Sequence, residues 1–165
     1  MASYRMTRNI EASVVDYLTA QFVRGGWTNI TVEKTFKRIY GLPMDINKGA
    51  AAICVRVLRS TIIKAEIGDN AIWRKAQVMI DVFATSDGQR EDLKDFIIDV
   101  FKYGCPYNQY TVTSGVASNT VAGRLRVLSI EDTPVNFNTD KSALEVADRY
   151  RHALTFSVTT GQVEE

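Results

Sequence analysis

Between residues 71 and 104 a stretch of strict alternation runs directly into an amphipathic one. Ile72, Ala76, Val78, Ile80, Val82 and Ala84 hold the even positions, while Lys75, Gln77, Asp81 and Thr85 sit among the odd ones. This is the two-residue period of a half-buried strand. The odd side also carries Trp73, Met79 and Phe83, so the face that should meet water holds large apolar groups that a small domain has difficulty covering. After Ser86 or Asp87 as cap, Leu93, Phe96, Ile97, Val100 and Phe101 form one helical stripe opposite Glu91, Asp92, Asp95, Asp99 and Lys102. Ile98 falls toward the charged side and reads as an incidental exposed residue or a contact for another subunit. Gly104 ends the helix and Pro106 prevents its resumption.

The same reading places a first helix from an Asn9 cap, with Ile10, Val14, Tyr17, Leu18 and Phe22 at helical spacing and Gly25-Gly26 as a left-handed stop. Residues 30–36 read as a short strand, and Gly41, Pro43 and Gly49 punctuate a loop. Ile53, Val55, Val57, Ile63, Ala65 and Ile67 share odd parity, interrupted at Arg59 and Thr61, which predicts one long strand bulged near Ser60. Gly68-Asp69-Asn70 is turn chemistry, so 53–85 forms a long hairpin with Leu58 and Ile62 on its even, outer side. Residues 107–123 read as a loop or loose hairpin and as the segment expected to move most. Leu125 to Ile130 is a strand, 131–140 a connection and 141–148 one or two helical turns. Tyr150, His152, Leu154, Phe156 and Val158 alternate through a closing strand. The ends, 1–8 and 161–165, are expected to be flexible.

With no repeat and no linker, residues 1–165 read as a single domain, and the order of elements predicts an α+β fold. The expected architecture is a mostly antiparallel sheet with a long β-hairpin and two main helices packed on it, segregated to one face. Leu58, Ile62, Trp73, Met79 and Phe83 are the candidate subunit-interface residues, expected to be covered by another subunit. The alternative is that one helix covers each face of the hairpin and buries these side chains within a monomer.

Composition adds limits. The chain has 165 residues and 45% hydrophobic positions, enough to bury roughly 70% of its unfolded surface without disulfide or metal. The formal net charge of +1 favours neither a nucleic-acid nor a membrane binder. Its distribution is uneven: 10 Lys/Arg against 4 Asp/Glu over residues 1–64 give +6, and 10 against 15 over 65–165 give −5. Such a dipolar chain could stack head to tail with copies or partners. Cys54 and Cys105 have neither metal-ligand spacing nor a disulfide framework, and reduced thiols are expected. Arg5 and Arg8 are not followed by an apolar stretch, so no secretory signal is expected, and the longest apolar run, 50–55, is too short to span a bilayer.

Chemistry is sparse. His152 is the one histidine and shares a strand face with Tyr150, Leu154 and Phe156, which marks it as a core or boundary residue rather than a base or ligand. Asp92, Asp95 and Asp99 could hold a cation, but Arg90, Lys94 and Lys102 interleave with them as on a solvated helix face. Arg56, Arg59 and Lys64 share the hairpin, with Lys34, Lys37 and Arg38 near Phe36 and Tyr40. A basic strand with aromatics could touch a nucleic-acid backbone, but such residues more often guard an edge against aggregation. No catalytic residue, cofactor site or metal site is assigned, and the chain is not expected to be an enzyme.

An opening helix over 10–22, a long hairpin, the strand RKAQVMIDVFATSDGQ leading into the helix REDLKDFIIDVF, and the closing strand DRYRHALTFSVTT together resemble the tail terminator, or tail completion, proteins of long-tailed bacteriophages. The resemblance covers most of the chain as element order and carries no diagnostic residue. It implies a virion protein assembled in the host cytoplasm that forms a homo-oligomeric ring, commonly a hexamer, at the head-proximal end of the tail. There it would stop tail tube protein addition and give the head-tail connector or neck protein a docking surface, with DNA only as passing cargo in the lumen and no membrane partner. The alternatives are a head-tail connector or neck adaptor and, in a different class, a small ligand- or nucleic-acid-binding α+β module.

Overall fold

The computed structural model describes residues 2–34, 50–64, 71–134 and 150–164. Among them the chain forms β1 (Ala2–Ser3), α1 (Met6–Arg24), β2 (Ile30–Lys34), β3 (Ala51–Lys64), β4 (Ile72–Phe83), α2 (Asp87–Phe101), β5 (Cys105–Thr113), β6 (Val116–Pro134) and β7 (Arg151–Glu164). The seven strands make one sheet in the order β1-β5-β6-β7-β4-β3-β2. Only the β2/β3 pair is parallel, so the sheet is mixed and mostly antiparallel, and the α+β class holds.

The core forms where three alternations meet. Ile53 and Val55 of β3, Val78, Ile80 and Val82 of β4, and Leu154, Phe156 and Val158 of β7 face the same side and are fully buried. Both helices cover that side. Ile10, Val14, Leu18 and Phe22 line α1, and Leu93, Ile97 and Phe101 line α2, each such side chain contributing about 1.5 to 3 kcal/mol on burial. The helices also hold each other. Tyr17 donates its hydroxyl to the Val100 carbonyl at 2.7 Å, and the Phe22 and Phe96 rings lie 5.0 Å apart. Among the described residues both helices lie on the same face, so these two do not take one face of the hairpin each. Ile98, expected on the charged side, packs partly buried against the core.

Local signals explain most boundaries. Ser86 caps α2, accepting from the Gln89 amide, while Gln89 reaches back to the Thr85 amide at 2.8 Å. Gly26 takes a left-handed φ of 74° after α1, as the double glycine predicts. Helix α1 begins earlier than expected, at Met6 after Arg5, and Asn9, the expected cap, lies inside it with its side-chain amide bonded to the Tyr4 carbonyl and the Tyr110 amide. Of the two readings of residues 107–123, loop or hairpin, the hairpin is the one found. These residues build the β5/β6 hairpin, closed by Ser114 and Gly115 at φ 53° and 81°, a two-residue turn whose twist suits paired strands. The ends are paired as well: Ala2 and Ser3 lie against β5, and β7 continues to Glu164 opposite Ile72. The loop around Gly41, Pro43 and Gly49, the 68–70 turn and the 141–148 turns lie outside the described residues.

Candidate association surfaces

The β3/β4 pair divides at a bulge. Register slips between Val57 and Arg59, and one extra residue inverts the facing of everything beyond it. Val57 opposes Val78, a core-facing residue, but Arg59 then opposes Gln77, Ile62 opposes Arg74, and Ile63 opposes Trp73. Ile62 is therefore turned to the helix side rather than the outer side expected for it, and Ile63 joins Trp73 on the outer face. Leu58, Ile62, Ile63 and Trp73 are 46%, 53%, 48% and 41% exposed, so this arm presents apolar groups on both faces.

Met79 and Phe83 were expected to share an open face with Trp73, and they do not. They are only 9% and 7% exposed, covered within the subunit. Arginine side chains account for part of that cover. The Arg56 guanidinium sits 3.5 Å from the Met79 sulfur, and Arg151 lies 5.1 Å over the Phe83 ring. Both arginines converge on the buried Asp81, at 3.8 Å and 3.2 Å, which gives that carboxylate the pairing that burial demands. Of the five interface candidates, Leu58, Ile62 and Trp73 remain accessible.

The sheet margin on the β5 side is treated differently. Helix α1 lies along β5 and supplies what a neighbouring strand would. The Tyr110 amide donates to Asn9 Oδ1 at 3.2 Å and the Asn108 amide to Ser13 Oγ at 2.9 Å. The Tyr4 amide donates to the Tyr110 carbonyl at 2.9 Å. Tyr110 passes its hydroxyl proton toward Asp16 Oδ2 at 2.5 Å, and burial, followed by that carboxylate, pushes the phenol up to about 12. Asn9 and Ser13 are themselves buried. On β3, Glu11 of the same helix accepts from the Val57 amide at 3.0 Å, just past the last β2 pair among the described residues, Lys34 with Val55.

The remaining polar candidates resolve into structural roles. His152 is buried and its Nε2 meets Asp132 Oδ1, while Lys94 approaches Asp132 Oδ2 at 3.6 Å, tying α2 to β6 and β7. Asp95 and Asp99 point to solvent and pair with Lys94 and Lys102. No group of three or more metal-ligating side chains occurs among the described residues. Arg59 is held by Gln77 Oε1 at 2.8 Å; Phe36, Lys37, Arg38 and Tyr40 lie outside the described residues. Burial pushes the Cys54 thiol up to about 11 and the Cys105 thiol to about 12, so both are poor nucleophiles at neutral pH. No described helix is long and apolar enough to cross a membrane. No protein-family model and no curated protein matches the chain.

Proposed function

We propose that this chain is a ring-forming structural subunit of a long-tailed phage, a tail terminator that closes the head-proximal end of the tail tube and offers the surface to which the filled head docks. The ring is a homo-oligomer, a hexamer by the family pattern, meeting tail tube protein on one side and the connector on the other while DNA passes through its lumen. The observation that carries this reading is the arm beyond the Val57 bulge, where Leu58, Ile62, Ile63 and Trp73 stand exposed in one short ribbon. Apolar groups concentrated in this way mark an association site more often than an ordinary surface. The element order supports the reading too: a helix, a long hairpin, a strand feeding a second helix, and a closing strand at the centre of the sheet.

Rings of discrete size in negative-stain images, with a matching mass by sedimentation, are the expected result. A clean monomer at high concentration, alone and with tails present, overturns the reading. Deletion then separates it from the neck adaptor: overlong tails identify a terminator, whereas tails of normal length that fail to join heads identify an adaptor.

A further inference from the structure

We infer that the sheet face opposite the helices, over the two rows of side chains beyond the bulge, binds the phosphate backbone of duplex DNA. The inference goes beyond the ring reading and does not need it, since a monomer carries the same face.

Register builds this face. Arg59 opposes Gln77, Gln77 opposes Ser157 and Ser157 opposes Ser129; in the next row outward, Thr61 opposes Lys75, Lys75 opposes Thr159 and Thr159 opposes Arg126. Residues directly opposite across a ladder share a face. Their chain neighbours Ala76, Val158 and Leu125 are buried in the core, so both rows turn to the other side, away from the helices. Arg59, Thr61, Lys75, Arg126 and Ser129 are exposed, and Gln77, Ser157 and Thr159 are half-buried. Arg59 stands on β3, Lys75 on β4 and Arg126 on β6 beyond β7, so the cations span three strand spacings, about 14 Å.

These cations are uncommitted. Arg59 donates its Nε to Gln77 Oε1, and among the described residues no carboxylate pairs with Arg59, Lys75 or Arg126. By contrast, Arg90, Lys94 and Lys102 on α2 have acidic partners, and Arg56 and Arg151, further along the sheet face, converge on Asp81. Guarding an edge accounts for Arg59 but not for Lys75 or Arg126, whose strands are interior to the sheet. The net charge of +1 conceals the patch because Asp87, Glu91, Asp92, Asp95 and Asp99 gather on α2. Glu131, in the row beside Ser129, lies on the far side of that serine from Arg126.

Composition selects the occupant. The two rows hold no apolar side chain, whereas protein contacts are built around an apolar centre and DNA contacts are polar and positive. Ile63 and Trp73 begin only one row further out, where the arm proposed for self-association starts. Without an aromatic ring in the two rows there is no platform for unpaired bases, so the duplex is favoured over a single strand. Thr159 commits its hydroxyl to the Arg74 carbonyl, which leaves Thr61, Ser129 and Ser157 to donate to phosphate oxygens. Duplex DNA carries a charge about every 1.7 Å of its axis, so cations spread over about 14 Å meet phosphates in any register.

Anisotropy of a short labelled duplex of mixed sequence, titrated with the full-length chain, should show binding that weakens about 40-fold between about 50 and 200 mM salt, as three phosphate contacts require. Lys75→Gln with Arg126→Gln should bind more weakly and leave about a 3- to 4-fold salt effect, that of one contact. Arg24→Gln with Lys102→Gln removes the same charge from the exposed ends of the helices and should match the parent. A parent that leaves the duplex free, tighter binding to the single strand, or equal losses in the two double variants overturns the inference. Sedimentation keeps the two readings apart. The Lys75/Arg126 variant should keep the parent's mass and far-ultraviolet spectrum; lost mass places this face between copies and overturns the inference while the ring stands. A parent that binds duplex as a monomer upholds the inference and overturns the ring.

Discussion

The two margins of this sheet are finished in opposite ways. Along β5 the chain builds a substitute strand from a helix, placing Asn9 and Ser13 against successive outward amides and adding β1 beyond them. Along β3 the same helix contributes Glu11 at Val57 and goes no further, leaving the outer half of β3, beyond the bulge, unpaired on that side among the described residues. Unprotected strand margins invite association, and proteins that must stay monomeric blunt them. Among the described residues one margin is sealed with buried polar groups and the other is not, which separates two tasks: the closed side keeps the subunit a defined body, and the other side is where a further strand could be received.

The largest expected effect breaks the closed side at its root. Gly104 turns α2 into β5 at φ 78°, and an added Cβ would stand 1.8 Å from the Leu125 carbonyl oxygen. Gly104→Ala is therefore expected to cost on the order of 4 kcal/mol or more, from backbone displacement and a disfavoured φ together. Urea unfolding followed by circular dichroism should show loss of the cooperative transition or a much lower midpoint. A midpoint within about 1 kcal/mol of the parent would mean that the α2/β5 corner is not built as described.

Next in size is a comparison within one strand. Phe83 and Trp73 both lie on the outer face of β4, yet Phe83 is covered beneath Arg151 and Trp73 is open. Phe83→Asp buries a charge and is expected to destabilise the subunit by about 3 to 5 kcal/mol. Trp73→Asp should change subunit stability by less than about 1 kcal/mol while lowering the sedimenting mass. Equal losses of stability would erase the distinction between the covered and open halves of the hairpin.

Third, Asn9→Ala with Ser13→Ala strips two acceptors from buried β5 amides, at about 1 to 3 kcal/mol each. The double variant should lose about 3 kcal/mol in urea unfolding and, with its β5 margin bare, aggregate more readily. The open margin is untouched, so its folded fraction should still self-associate. Loss of association without loss of stability would reverse the roles assigned to the two sides.

What could be read from the sequence follows from how burial is distributed. Strands β4 and β7 and helix α2 declare themselves because one side of each is buried and their apolar period records it. The β5/β6 hairpin does not, since residues 116–121 are exposed on both faces and nothing imposes alternation on them; only the Ser114-Gly115 pair signals the turn. Asn9 reads as a helix cap because that is the usual local use of its amide, and its contact with a strand about a hundred residues away leaves no local mark. The bulge does show, as the parity break that predicts it near Ser60, and the register shift lies between Val57 and Arg59; what the pattern does not show is that it exchanges Ile62 for Ile63 on the outer face. Met79 and Phe83 read as exposed because the arginines that lie against them, Arg56 and Arg151, come from other strands.

The smallest expected effect lies on α2, on the surface neither margin uses. Hydrogen bonds from Lys94 and then Arg90 hold the Glu91 carboxyl down at about 2, and Lys94 is raised in return. A carboxyl whose folded value is depressed adds stability above its unfolded value, and that contribution disappears as pH falls from about 4.5 to about 2. Glu91 is nearly half exposed, so solvent screening limits the pair to about 0.5 kcal/mol. Glu91→Gln should therefore unfold at slightly lower urea than the parent at pH 7, with the gap closing toward pH 2 and shrinking in high salt. A gap that persists unchanged at pH 2 would assign the effect to packing rather than charge. A change in sedimenting mass at pH 7 would place this helix face, and not only the open strand margin, in the contact between copies.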